Sequence, residues 1–481
     1  MIRKHGVLLI CIAAGIGVGA ASVLVNPLYL ITGMIALLIG LWFVGSLDRS
    51  LLALILIISL LPRFALPARL AGFTPTLLDL AIIAVILTWR LSNARQPLPV
   101  PQLAITVPLL CLIVVAIATF ITGLPNGALT PLVIRRFAEL LLSFFMVWVL
   151  AAALQTEQAQ MRWLRIALIA GALSAALGIA LYFIPDELAM RLLSSLRIFG
   201  YPDGPGVLRY IQDDPTLSQR ATGLWIDPNA FGGYLLITGA LGLPQIFTRQ
   251  PVIPRAWAVL CVGLIALALV LTVSRGAMLG FVTVALAMGL LKYRRMLPLM
   301  ITVVILALIL PQTRDLILHF ADGFAGRDQA TQMRFGEYKD AFRLIERYPA
   351  LGVGFIDSPD IDLYIGVSSM YLLIAQQMGL LGLSAFALVI IVLFAGATYR
   401  WRAARGDERT SAIWLGAHGA VLGALLSGIF DHYFFNIDFH TSAMLLWAMI
   451  ALAAVVQQSQ LKSALQSNHY DGVECKSAKA S

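Results

Sequence analysis

Charge is scarce in this chain: Asp, Glu, Lys and Arg make up only 12% of its 481 residues. About a quarter of an ordinary soluble domain is charged. The shortfall is matched by 60% hydrophobic residues and a mean hydropathy of +0.87, which excludes a water-soluble fold. Cysteine is scarce too. Cys11, Cys111 and Cys261 fall inside apolar runs and Cys475 lies in the tail. The sequence has no Cys-x-x-Cys and no Cys/His pattern at metal-ligand spacing, which argues against disulfides and structural zinc. Alternating ten-residue segments are missing as well, which removes a membrane β-barrel. The net charge of +9 is not gathered into a basic run interleaved with aromatics, so nucleic acid is not a partner.

What the chain does have is a succession of apolar runs of roughly 17–25 residues, each long enough to cross a ~30 Å hydrocarbon core. The expected fold is all-α and polytopic, with about fourteen spans, because an open sheet cannot satisfy its backbone in lipid. The spans are placed near 7–25, 27–45, 48–62, 75–91, 103–122, 134–154, 163–184, 229–247, 256–273, 275–292, 296–311, 367–397, 411–430 and 438–457. The first follows Arg3-Lys4 and is read as an uncleaved helix, being longer than a signal-peptide core. Cationic loops around Arg90, Arg162, Arg249, Lys292 and Arg400 fall on one side, which the positive-inside rule makes cytoplasmic, along with both termini.

The expected organisation is an N-terminal group of spans over 1–184, an outer loop over 185–228, and spans over 229–311. A second outer loop over 312–366 and C-terminal spans over 367–460 follow, then a disordered tail over 461–481. Within the second loop, Tyr338, Ala341, Ile345 and Tyr348 recur at three- and four-residue spacing, so an amphipathic helix is expected from Thr331 to Tyr348. Two placements stand for it: flat on the outer leaflet, or as a lid over a cavity. Pro349 and the glycines of Gly352-Val-Gly354 end it, and those glycines read as a turn.

Ionisable residues from distant segments fall at span ends on the outer side: Arg135, Arg136, Arg220, Asp227, Arg275, Arg334, Asp431 and His432. Charges at such depth are costly and mark candidate sites. A guanidinium offers a planar fork of donors suited to phosphate oxygens. One arginine alone could simply snorkel to headgroups; several converging would suit a lipid-linked diphosphate. Asp227-Pro228-Asn229 reads first as a helix start with Asp227 or Asn229 as cap. Asp431-His432 places a carboxylate beside an imidazole, a general-base arrangement, although an interfacial aromatic belt explains the neighbouring residues equally. His319 is a weaker candidate.

The order of motifs resembles the bacterial O-antigen ligase/polymerase superfamily. The motifs are Arg220-x-x-Gly223 before Pro228-Asn229, then Ser274-Arg275-Gly276, then Arg334-x-x-x-Tyr338-x-x-Ala341 leading to Pro349-x-x-Gly352-Val-Gly354. Tyr371-Leu372 leading to Gly379-Leu-Leu-Gly382 and Asp431-His432-Tyr433 complete the set. The resemblance is strongest over about residues 215–455. It implies a GT-C-like glycosyltransferase without cofactor or metal. Such an enzyme moves a glycan from an undecaprenyl-diphosphate carrier to an acceptor glycan or to lipid A–core, at the outer face of the bacterial inner membrane. By motif position, Arg220, Arg275 and Arg334 would hold the diphosphate; Arg136, at a span end on the same side, is grouped with them, and the adjacent carboxylate and imidazole make Asp431 and His432 the catalytic candidates. Asp227, Asn229, Tyr338 and Ser368 would face the glycan. Ser368-Ser369 stands where ligases commonly carry His-Asn, leaving His432, Asp357, Asp360 and Asp362 as substitutes for the base. That departure favours a polymerase over a ligase, with a chain-length regulator as a candidate partner. A lipid-linked glycan flippase is the reading from another class, disfavoured because no inverted repeat is found and the ionisable groups sit towards one face.

Overall fold

The computed structural model describes residues 38–66, 73–93, 101–309, 326, 329–358 and 366–477. The fold is all-α, and each expected span from 48–62 onward has a helix. These are α1 (Leu47–Leu60), α2 (Leu77–Ser92), α3 (Thr106–Thr122), α4 (Pro131–Ala153) and α5 (Glu157–Phe183). After the short α6 (Asp186–Ser194) come α7 (Pro228–Phe247), α8 (Arg255–Leu271), α9 (Arg275–Leu291) and α10 (Met296–Ile309). The amphipathic helix is α11 (Gln329–Arg347), followed by α12 (Met370–Ala404), α13 (Glu408–Ser427) and α14 (His440–Ser477). Six of the described helices are long and apolar enough to cross a bilayer, or seven if Leu38–Val44 and α1, bent by 120°, form one span. Others, such as α1 at 14 residues, are shorter than the ~20 residues a straight crossing needs. The span placed at 7–25 and most of 27–45 lie outside the described residues.

Helices α7, α13 and α14 form the centre of the bundle, and their apolar windows are the most deeply buried. Helix α7 packs on α8, α9 and α13, and α14 packs on α4. α7 is apolar all round, as a fully enclosed helix must be. Small residues let these helices approach closely: a Cβ at Gly416 of α13 would lie 3.3 Å from the backbone of Leu241 in α7.

The two ends of the bundle differ in charge. Arg162 pairs with Asp48 at 2.5 Å, Lys292 with Glu408 at 3.3 Å and Arg409 with Glu157 at 3.5 Å. These residues belong to the segments expected to be cytoplasmic, and they gather at one end. The first long loop, by contrast, folds over the opposite end. Its two-residue strands, β1 (Arg209–Tyr210) and β2 (Gln219–Arg220), pair antiparallel with Arg209 opposite Arg220. Ala221 N–H then donates to Leu271 O at 2.8 Å, fastening the loop to the last turn of α8.

Helix α11 buries Ala341 against Leu373 at the start of α12 and Leu344 against Val353, and leaves Arg343 and Arg347 exposed. The expected turn at Gly352-Val-Gly354 has a larger role. Helix α12 breaks at Gly379 (φ 62°), which frees the carbonyls of Gln376 and Gln377. Val353 N–H and Gly354 N–H take them up at 2.9 Å each, and Leu380 N–H donates to Pro349 O at 2.7 Å. A Cβ on Gly352 or Gly379 would overlap the facing backbone, so both positions need glycine. A broken helix in an apolar setting survives only where another segment satisfies its backbone.

Candidate active site

Arg220 is placed by backbone. Its Nε donates to Thr272 O at 2.8 Å and its Nη2 to Asn229 Oδ1 at 2.6 Å. Both acceptors are neutral, so the guanidinium keeps its charge uncancelled by direct contact. Asp227 is the N-cap of α7, its Oδ1 accepting from Asn229 N–H at 2.9 Å and Ala230 N–H at 2.8 Å. The helix-start reading of Asp227-Pro228-Asn229 therefore holds, and it is this cap that turns Asn229 towards Arg220.

Arg220, Asn229, Ser274, Arg275, Arg334 and Asp431 line one cavity of about 520 Å³. They come from β2, α7, α9, α11 and the loop after α13, so the structure brings together three of the four arginines expected to bind diphosphate. Ser274 caps α9 without a side-chain hydrogen bond, so the first N–H groups of that helix lie beside Arg275. Such a helix terminus favours anions. A second, more apolar cavity of about 690 Å³ shares Arg275, Gly276, Arg334 and Phe430 with the first and adds Leu279, Phe335 and Tyr338. Tyr338 Oη donates to Ser368 O at 3.2 Å, and Ser368 N–H donates to Glu337 Oε2 at 2.8 Å.

The fourth arginine is elsewhere. Arg136 pairs with Asp438 at 2.6 Å and lines a different cavity, which corrects its grouping with the other three. Equal spacing from a span end did not reveal that successive residues of a helix, about 100° apart, face different neighbours.

Asp431 and His432 form a dyad. Asp431 Oδ1 lies 3.0 Å from His432 Nδ1 and also accepts from His432 N–H at 2.8 Å. Burial would lower the His432 pKa, but the hydrogen bond and charge of Asp431, with Asp227 and Glu337 behind, turn the net shift upward. Burial would likewise raise Asp431, and the same contact with His432, helped by Arg334, holds it below the usual carboxylate range. Asp227 moves the other way, raised by burial and by the charge of Asp431. Burial pushes Arg220 down to about 10 against the attraction of Asp227 and Asp431, so it stays cationic at neutral pH. A carboxylate on Nδ1 leaves Nε2 as the basic nitrogen of the neutral ring, the form a general base requires.

Of the other substitutes for a base, Asp357 is exposed beside Gly127 and lines neither cavity. Asp360, Asp362 and His319 lie outside the described residues.

Two features escaped the sequence. Val273 (φ 52°) and Ile226 (φ 66°) adopt left-handed backbone, where β-branched residues are outliers. They immediately precede Ser274-Arg275 and Asp227, so the strain sits at the two turns that place the cavity. No residue type advertised it. The second is a buried group of Asp79, Arg135, Glu139 and His440. Arg135 bridges Asp79 at 3.1 Å and Glu139 at 2.6 Å. Only the four-residue spacing of Arg135 and Glu139 hinted at a pair. The ligand atoms of Asp79, Glu139 and His440 lie within 4.8 Å of one another, so among the described residues these could hold a metal ion. Arg135 already occupies both carboxylates, which disfavours a second cation there.

No curated protein matches the chain. Residues 260–387 match the family described as O-Antigen ligase, a stretch that holds Arg275, Arg334, Tyr338 and Ser368. That family suggests a membrane glycosyltransferase of ligase or polymerase type, acting on a lipid-linked glycan and an acceptor. The match over residues 260–387 supports a likeness to the O-antigen ligase/polymerase superfamily over that stretch.

Proposed function

We propose that the protein is a metal-independent, inverting glycosyltransferase that polymerises glycan repeats from an undecaprenyl-diphosphate carrier. The observation that carries this reading is the convergence of Arg220, Arg275 and Arg334 on one cavity at the N-terminus of α9. Three guanidiniums and a helix terminus meet the needs of a diphosphate leaving group, whose negative charge grows as the glycosidic bond breaks. The adjoining apolar cavity, with Leu279, Phe335 and Phe430, suits the first isoprene units of the carrier. In this reading the acceptor oxygen attacks the anomeric carbon from the face opposite the diphosphate. The C–O bond to the diphosphate breaks and its electron pair leaves with the phosphate oxygen. His432 Nε2 takes the hydroxyl proton, with Asp431 holding the ring and stabilising its charge.

Positive-inside charge supports placing this cavity on the periplasmic side of the inner membrane, opposite the end that holds Arg162, Lys292 and Arg409. The absence of an imidazole at Ser368-Ser369 supports polymerase over ligase, and leaves His432, bonded to the cavity-lining Asp431, as the candidate base. The test is Arg275→Ala in cells, with glycan length and protein level both measured. Single repeat units at normal protein level are expected. Long carrier-linked chains would mark a ligase instead, and normal polymer would remove the role given to Arg275.

A further inference from the structure

A third cavity, of about 960 Å³, opens at the same end of the bundle and is lined by Arg63, Trp225, Glu139, Phe439 and His440 among others. Its base is the group in which Arg135 bridges Glu139 and Asp79, with His440 Nδ1 3.6 Å from Glu139 and 4.0 Å from Asp79. The side chains of His440 and Glu139 are 9% and 6% exposed. Two buried nitrogens of the lining, Trp225 Nε1 and His440 Nε2, have no hydrogen-bond partner among the described residues. Buried polar atoms are normally paired, so each calls for a ligand or water. The Phe439 ring adds an apolar face, with the Arg63 guanidinium 5.8 Å from its centroid.

The position of this cavity is as telling as its lining. The His432 ring lies 5.6 Å, centroid to centroid, from Phe439, while Asp431 lines the arginine cavity. Trp225 and Ala230 line the third cavity, while Asn229 lines the first. Asp431, which lines the first cavity, His432, which packs on Phe439 of the third, and the 225–230 turn thus lie between the two cavities. A ligand on one side meets cations suited to phosphate. A ligand on the other meets carboxylate, imidazole, indole N–H and aromatic faces together. That mixture fits a pyranose, which presents hydroxyls needing both donors and acceptors and a C–H face that packs on rings.

We propose that the third cavity binds the acceptor glycan and presents its hydroxyl to His432 across the shared wall. The proposal rests on the glycosyltransferase reading and adds to it a separate acceptor site. Transfer then joins the acceptor oxygen to the anomeric carbon, releases the carrier diphosphate with the bonding pair, and moves the hydroxyl proton to His432.

The experiment uses the full chain in nanodiscs and two variants at positions that do not line the arginine cavity. Trp225→Phe keeps the ring that stacks on Tyr234 at 4.9 Å and deletes the indole N–H; Phe439→Leu keeps bulk and removes the aromatic face. Two probes are titrated: sugar-free undecaprenyl diphosphate, and the oligosaccharide released by mild acid from the carrier-linked glycan of the producing cells. The expected result is unchanged carrier binding and an acceptor KM raised about tenfold, the scale on which a lost contact alters recognition, with kcat little affected. Saturation-transfer NMR of the oligosaccharide reads the same loss directly, so a variant of reduced yield still reports. An unchanged acceptor KM in both variants, or carrier binding lost along with it, would overturn the proposal. Loss of carrier binding in Arg275→Ala is the separate control on the glycosyltransferase reading: retention there sinks that reading whatever the third cavity does.

Discussion

The arginine cavity and the third cavity share one wall, yet they handle cations in opposite ways. In the first, Arg220 is fixed by a backbone carbonyl and an asparagine oxygen, and the lining holds three arginines against the single carboxylate Asp431. In the third, Arg135 is clamped by two carboxylates and Arg136 by Asp438. A guanidinium held by neutral acceptors keeps its field for an incoming anion. One held by carboxylates has spent that field on the fold and instead shapes a neutral polar surface. The two sites are chemically complementary for that reason, one for diphosphate and one for hydroxyls.

The largest expected effect breaks the first site. Arg275→Ala should lower transfer by roughly 10²–10³, the range for removing one donor to a developing anion, with melting temperature nearly unchanged. Arg136→Ala is its counterpart. Because Arg136 and Asp438 are both partly exposed, stability should change by about 0–1 kcal/mol, and undecaprenyl diphosphate should bind as before. A collapse of carrier binding in Arg136→Ala would merge the two cavities into one site. For Arg135→Ala the loss is in the fold. Two buried carboxylates are left without their cation, which should cost about 3–5 kcal/mol, read as a fall in melting temperature in nanodiscs.

These contrasts locate the limit of what the sequence disclosed. The helices of the bundle were legible because apolar runs have one stable form in lipid. Arg220, Arg275 and Arg334 were legible because a cation at a span end is expensive and therefore conspicuous. Arg136 was misgrouped because distance along the chain does not fix which side of a helix a side chain faces. Glu139 and Asp79 passed unnoticed since a lone carboxylate near a span end has no partner in the sequence; the partner exists only after folding. Gly352 reads as a turn residue and Gly379 falls inside an expected span; only the break in α12 shows that each backbone lies where the other's Cβ would be.

The dyad in the shared wall gives a prediction in pH. As a base, His432 must be neutral, so transfer should rise with pH as His432 deprotonates, and its raised pKa places that limb above the ordinary histidine range. Asp431→Asn removes the hydrogen bond and charge that lift it and leaves burial, which lowers it. The limb should therefore move to lower pH, while the maximal rate falls because the ring has lost its orienting carboxylate. A limb that stays in place would detach Asp431 from the ionisation that controls transfer.

The smallest effect tests whether strain belongs to the arginine cavity. Val273 holds a left-handed backbone two residues before Arg275, at φ 52°. Asparagine adopts that conformation far more readily, and Val273 is only half-buried, so little packing is lost. Val273→Asn should therefore stabilise the protein by about 1 kcal/mol, the low end for a relieved outlier. If the strain serves only to pass the chain from α8 to α9, transfer should be untouched. If Val273 also fixes the angle at which Arg275 meets the cavity, the more stable variant should bind undecaprenyl diphosphate less tightly. We expect the second result, because the third cavity, where carboxylates hold Arg135 and Arg136, has no such non-glycine outlier among its described lining residues. Arg135 and Arg136 of the third cavity are positioned by charge pairing, whereas Arg220 of the arginine cavity, held by a carbonyl and an asparagine oxygen, is positioned through the backbone turns that place it.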